Sequence, residues 1–178
     1  MPNINWTKMR DVLKPLTTKN YSLVYDYVED IMLLIDLNRN YVIMSDSWQE
    51  KEMNTPAIEN AKGDVLCLGF GMGMNLLPMM EKEEVKSITV IEKFPEILEI
   101  TASQLKLNEK IRIIIADALT WIPDMKFDFI WDDCDYYPED IKNCELSGIH
   151  SDNRFRLAPC LKEKGVFMRW NNDDKYRN

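Results

Sequence analysis

The 178-residue chain is 46% hydrophobic and carries 22 lysines and arginines against 30 aspartates and glutamates, a formal net charge of -8. That length fits one domain with a real core, and no apolar stretch approaches the roughly 20 residues of a membrane-crossing helix. The acidic balance opposes binding to nucleic acid or to an anionic membrane and favours a cationic or neutral small substrate.

Residues 7–16 read as an entry helix, and two apolar runs follow, 30–37 and 41–44, separated by Asn38-Arg39-Asn40. Short apolar runs around an Asn-containing turn predict a β-hairpin. Thr55-Pro56 offers an N-cap followed by proline at the first helical position, which predicts a short helix over 57–61. Residues 1–54 are therefore expected to form an N-terminal helix and hairpin, and 55–178 the main domain.

From Gly63 onward, strand and helix alternate. The strands are predicted at 65–68, 87–91, 111–116 and 127–131, with helices at 75–81 and 95–105. Helical signal returns at 139–145 and 154–162, before a last strand at 165–170. Strands without polar alternation, spaced by helix-length segments, predict a mostly parallel α/β sheet with helices on both faces. Such sheets bind ligands outside the carboxyl ends of their strands, where the winding direction reverses. The residues just past each strand are thus the candidates for function.

After the first strand comes Gly69-Phe70-Gly71-Met72-Gly73, whose glycines let the backbone turn tightly and approach a ligand closely. A dinucleotide-binding GxGxxG loop would need glycine or alanine where this chain has Met74. The second strand is followed by Glu92, at the spacing where a carboxylate accepts ribose hydroxyls. The third ends in Asp117-Ala118, which suits either base recognition or the N-cap of a helix. The fourth runs into Asp132-Asp133-Cys134-Asp135-Tyr136, carboxylates crowded enough to raise one another's pKa, bind a cation or take a proton.

Glycines, Glu92, Asp117 and Asp132 fall at four strand ends in order, and on these residues the stretch 63–138 resembles the core of class I S-adenosylmethionine-dependent methyltransferases, a Rossmann-like fold. Within that superfamily it is similar to the spermidine synthase branch in a compact stand-alone form. Asp132-Asp133-Cys134-Asp135 matches that branch's D-x-x-D element, and the hairpin leading to Met44-Ser45-Asp46 resembles its N-terminal β-hairpin.

The resemblance implies S-adenosylmethionine, or its decarboxylated form, as cofactor. Gly69, Phe70, Gly71, Met72 and Gly73 would line its methionyl and ribose part, Glu92 with Lys93 would hold the ribose, and Asp117 with Ala118 would read adenine. Asp132 would border the cofactor and be the base, or the electrostatic partner of an attacking amine, and Asp135 would help hold a cationic amine. Gln49, Glu50 and Tyr136 would stand on the substrate side. Methyl transfer to a small molecule or amine is the leading expectation, beside aminopropyl transfer and a non-catalytic or cofactor-degrading protein. The first loop is more apolar than that of spermidine synthases, through Phe70, Met72 and Met74, and the chain stops about eight residues past its last predicted strand. The C-terminal strands usual in methyltransferases are thus expected to be truncated, with a homodimer supplying the missing edge.

Cys67, Cys134, Cys144 and Cys160 lack the CxxC spacing of a metal site, and free thiols fit a cytoplasmic protein. His150 is the one histidine, which excludes a histidine dyad and a multi-imidazole zinc site. No metal is expected.

Overall fold

The computed structural model describes residues 4–134 and 152–170. Its N-terminal part holds a short helix, α1 (Met9–Val12), and a four-stranded antiparallel sheet. The strands follow chain order: β1 (Leu16–Thr17), β2 (Tyr21–Asp26), β3 (Ile31–Asp36) and β4 (Tyr41–Ser45). The predicted hairpin is the β3–β4 pair. Alternation along β3 turns Met32, Leu34 and Asp36 inward, and the Asp36 carboxylate then accepts the N–H groups of Asn38 and Arg39 to shape the turn. The entry helix is shorter than the sequence suggests. Pro15 disfavours a helical residue before it, so the chain leaves the helix and pairs Leu16 with Leu23 and Thr17 with Ser22.

The helix predicted to start after Thr55-Pro56 begins earlier, as α2 (Trp48–Asn60). Ser47 is its N-cap, its Oγ accepting the Glu50 N–H at 3.3 Å. Thr55 caps nothing; its hydroxyl donates back to the Lys51 carbonyl at 2.9 Å, and Pro56 sits inside the helix.

The main sheet has five parallel strands. Their order is β7 (Ile111–Ile115), β6 (Val85–Glu92), β5 (Gly63–Leu68), β8 (Phe127–Asp132) and β9 (Leu161–Arg169). Both faces are covered. Val65, Cys67, Val90 and Trp131 pack with Ile58 of α2 and with Met79 of α3 (Leu76–Met80). Leu66, Leu68 and Ile130 face the other way, towards Leu157 of α5 (Asn153–Leu157). The N-terminal sheet shares a third core with Ile97 and Ile100 of α4 (Pro95–Ile100), and Met72 and Met74 of the glycine loop fill it.

Three further boundaries move. α4 ends at Ile100 and is continued by a 3-10 turn over Ala102–Gln104. The helix predicted over 154–162 stops at Leu157, because from Leu161 the chain pairs with β8. β9 thus starts before Gly165 and carries an irregularity near Lys164, whose φ is 77°. The helix predicted over 139–145 lies outside the described residues. Among the described residues no helix is long and apolar enough to cross a membrane.

Candidate functional site

Strands β5 to β8 end on one side of the sheet, where a cleft of about 960 Å³ opens, solvent at its mouth included. β5 lies between β6 and β8, so the winding reverses beside it and the cleft sits at the switch point.

Gly69 and Gly71 line the cleft, with φ of 92° and 54°. A Cβ on Gly71 would lie 2.8 Å from Met44 Sδ, so the N-terminal sheet reaches to the loop itself. The other loop residues turn away. Phe70 and Met72 are buried in separate cores, and Gly73 packs against Leu105 and the Phe70 ring. Phe70 serves the site through its backbone, its N–H donating to Glu92 Oε2 at 2.9 Å.

Glu92 is 5% exposed at the end of β6 and lines the cleft. Its Oε1 accepts the Phe94 N–H at 2.9 Å. Burial pushes its carboxyl above the ordinary range, while N–H groups of Phe94, Phe70, Lys93 and Gly71 draw it back. Asp117 and Ala118 stand across the same hollow. Asp117 Oδ1 accepts the Leu119 N–H at 2.9 Å, and Oδ2 pairs with the Lys93 ammonium at 3.0 Å.

The β8 end differs from expectation. The strand runs one residue further than predicted, so Asp132 remains in register with Leu68 and Arg169. It is fully buried, and its Oδ2 accepts from Arg169 Nε at 3.1 Å and Nη2 at 3.0 Å. It does not line the cleft. Asp133, the first residue past the strand, does, with Cys134 beside it. Asp135 and Tyr136 lie outside the described residues. On the N-terminal side Glu50 lines the cleft, whereas Gln49 and Trp48 are exposed on α2.

Sequence reasoning missed two features. Tyr21 of β2 and Phe94 form an aromatic wall, ring centroids 5.4 Å apart. A chain of buried amides also joins Glu50 to Asp133. Asn54 Nδ2 donates to Glu50 Oε1 at 3.3 Å, and Asn75 Nδ2 donates both to Asn54 Oδ1 at 2.7 Å and to Asp133 Oδ2 at 2.9 Å. The Ser47-x-x-Glu50 capping pattern, with Asn54 one helical turn on, was the signal available for it.

Among the described residues the cleft therefore presents four carboxylates, Glu50, Glu92, Asp117 and Asp133, against the Lys93 ammonium. Buried Asn75 Oδ1 and Trp170 Nε1 have no hydrogen-bond partner among the described residues, and Trp170 lines the cleft. No group of three or more histidines, cysteines or carboxylates suited to a metal occurs among the described residues.

No protein-family model and no curated protein sequence matches the chain. Solved structures do. The spermidine synthase of Thermotoga maritima superposes with a TM-score of 0.61 at 17% identity, over 89% of this chain and 55% of its own. A spermidine synthase in complex with the transition-state analogue AdoDATO gives 0.62 at 17% identity, over 89% and 57%. The N-methyltransferase NodS of Bradyrhizobium japonicum gives 0.55 at 20% identity, over 70% and 68%. The chain thus has the Rossmann-like fold of class I S-adenosylmethionine-dependent methyltransferases, and spans little more than half the length of the two spermidine synthases.

Proposed function

We propose that this chain binds S-adenosylmethionine and transfers its methyl group to a small molecule or amine. The observation that carries this reading is the buried Glu92 carboxylate, fixed by the N–H groups of Phe70 in the glycine loop and of Phe94, in the same hollow as Asp117 and Ala118. A carboxylate with its acceptor capacity directed at a nucleoside's diol, a close-approach backbone at Gly69 and Gly71, and an acidic wall around a cationic ligand are what this cofactor requires. When bound, it supplies a sulfonium-activated carbon.

The residues of the chain do the rest. Glu92 holds the ribose, Asp117 and Ala118 meet the base, and Tyr21 with Phe94 covers it with apolar surface. Asp133 takes the role first given to Asp132, because of these two it is the one that lines the cleft, and it accepts the proton of an attacking amine or holds its charge. Glu50 faces the same space from α2. Holding both reactants there contributes through proximity.

Aminopropyl transfer from the decarboxylated cofactor is the second reading. It is favoured by one observation: the spermidine synthases cover 89% of the chain, against 70% for the N-methyltransferase. Among the described cysteines, Cys67 and Cys160 are reduced thiols, which suits the cytoplasm. Calorimetry with both cofactor forms, then mass spectrometry of products from an amine panel, tests the assignment. Binding of the intact form with a methylated product supports the first reading, and preference for the decarboxylated form supports the second. Failure of both forms to bind rejects cofactor use. Binding without transfer, or breakdown of cofactor alone, rejects the transferase.

A further inference from the structure

Asp132, buried and absent from the cleft lining, has another connection. Its Oδ2 accepts a third donor, Asn153 Nδ2, at 3.4 Å, besides the two from Arg169. Asn153 is itself fully buried, and its Oδ1 accepts from Arg156 Nε at 3.2 Å and Nη2 at 2.6 Å. Arg156 then reaches the segment after β7. Its Nη1 donates to the Trp121 carbonyl at 2.5 Å, and its Nη2 donates to the Ala118 carbonyl. That segment is one tight turn, in which the Thr120 and Trp121 N–H groups donate to the Asp117 carbonyl at 3.0 and 2.8 Å.

A polar relay, buried at Asp132 and Asn153 and half-buried at Arg156 and Arg169, therefore runs from the end of β8, through α5, to the turn carrying Asp117, Ala118 and Leu119 into the cleft. A guanidinium is suited to this, since its rigid fork spans two carbonyls and a side-chain amide at once. None of the four relay side chains lines the cleft.

We propose that Arg156, held by Asn153 and by the Asp132–Arg169 pair, is a positioning residue that sets the base-reading turn and so determines discrimination for adenine. The inference rests on the cofactor reading above, in which Asp117 and Ala118 meet the base. Arg156 touches no ligand. It fixes the two carbonyls and, through the short turn, the direction in which Asp117 presents its carboxylate. Without those donors both carbonyls lose their charge-assisted partner, and the turn relaxes.

The test is calorimetry on the full chain with S-adenosylhomocysteine, then adenosine and inosine, the last carrying a carbonyl in place of the amino group. Arg156→Met is expected to weaken adenosine about tenfold and leave inosine nearly unchanged, so the adenosine-to-inosine ratio collapses. Arg156→Lys, which keeps a charged donor, is expected to recover part of the ratio. A loss of fold stability alone would weaken both nucleosides equally and would overturn the inference. So would an unchanged ratio in Arg156→Met. If that variant does not fold, Arg156→Lys decides: a ratio below wild type supports the relay, and a wild-type ratio overturns it. Failure of the wild-type chain to bind S-adenosylhomocysteine or adenosine rejects the cofactor reading itself, and the inference falls with it.

Discussion

The Phe70 N–H donates to the Glu92 carboxylate at 2.9 Å, so the glycine loop and the second strand of the main sheet are fastened at the atom proposed to meet the ribose. Burial raises the Glu92 carboxyl above its ordinary 4.5. A ribose diol donates its hydroxyls, so it needs the ionised form. Cofactor affinity is expected to rise with pH through that raised pKa, and a calorimetric series upward from pH 4.5 measures it. Glu92→Gln keeps the shape but removes a charged acceptor, worth about 1.5–3 kcal/mol, roughly ten- to a hundredfold in Kd. The same substitution is expected to flatten the pH dependence. The stability effect has the opposite sign. A carboxyl whose folded pKa lies above its unfolded value contributes stability at low pH, which fades as pH rises through the folded value. Equal pH slopes of binding in wild type and Glu92→Gln would contradict this account.

Lys93 holds Asp117 Oδ2 at 3.0 Å, the oxygen a base amino group would need. Both side chains are about one-third exposed, and such pairs contribute about 0.2–1 kcal/mol, less in salt. A ligand can displace the ammonium at small cost. Lys93→Met is therefore expected to tighten adenosine binding a few-fold at low ionic strength, with the gain vanishing near 1 M salt. Weaker binding by the variant at every salt concentration would make Lys93 a direct ligand contact instead.

The main sheet was legible because its strands are short apolar runs closed by glycine or carboxylate, and Glu92 and Asp117 do fall at strand ends in one hollow. What failed was resolution of a single residue. Strand β8 continues through Asp132, since pairing with both Leu68 and Arg169 outweighs the cost of burying a carboxylate that Arg169 can neutralise. The cleft residue is then Asp133, and nothing local in a run of acids marks where pairing stops. Tyr21 and Met44 stayed hidden for another reason: they reach the cleft only because the N-terminal sheet packs on α4 and the glycine loop, a long-range relation. Strands β1 and β2 were readable in principle, since Pro15 ends the helix before them.

At the opposite end of the sheet Lys162 joins Asp64 at 2.6 Å and Asp128 at 2.7 Å. It holds both carboxyls below their ordinary values. The folded pKa values are depressed, so this clamp stabilises the protein above the unfolded values and its contribution is lost as pH falls through the folded ones. Lys162→Met leaves two carboxylates facing each other. It is expected to lower the denaturation midpoint at pH 7, with the gap to wild type narrowing below about pH 4. Cofactor affinity should not change, because the clamp lies at the amino ends of β5, β8 and β9, away from the cleft. A gap independent of pH would show that the loss comes from packing of the lysine stem.

The amide chain from Glu50 through Asn54 and Asn75 to Asp133 links two cleft carboxylates that sit on different parts of the fold. Asn54 is fully buried and Asn75 is 5% exposed, so neither amide can exchange its partner for water. Removing Asn75 takes one donor from half-buried Asp133 and leaves the buried Asn54 oxygen without its donor, a stranded group that costs about 1–3 kcal/mol. Asn75→Ala is expected to destabilise the protein by that order. The linkage itself is tested by a double-mutant cycle between Glu50→Gln and Asp133→Asn, read as affinity for a cationic amine in the presence of S-adenosylhomocysteine. Residues in one hydrogen-bond network couple by about 0.5–3 kcal/mol. Coupling is therefore expected in the wild-type background and should fall towards zero with Asn75→Leu, which cuts the chain between them. Additive effects in both backgrounds would mean that the two carboxylates act on the ligand independently and that the asparagines serve packing alone.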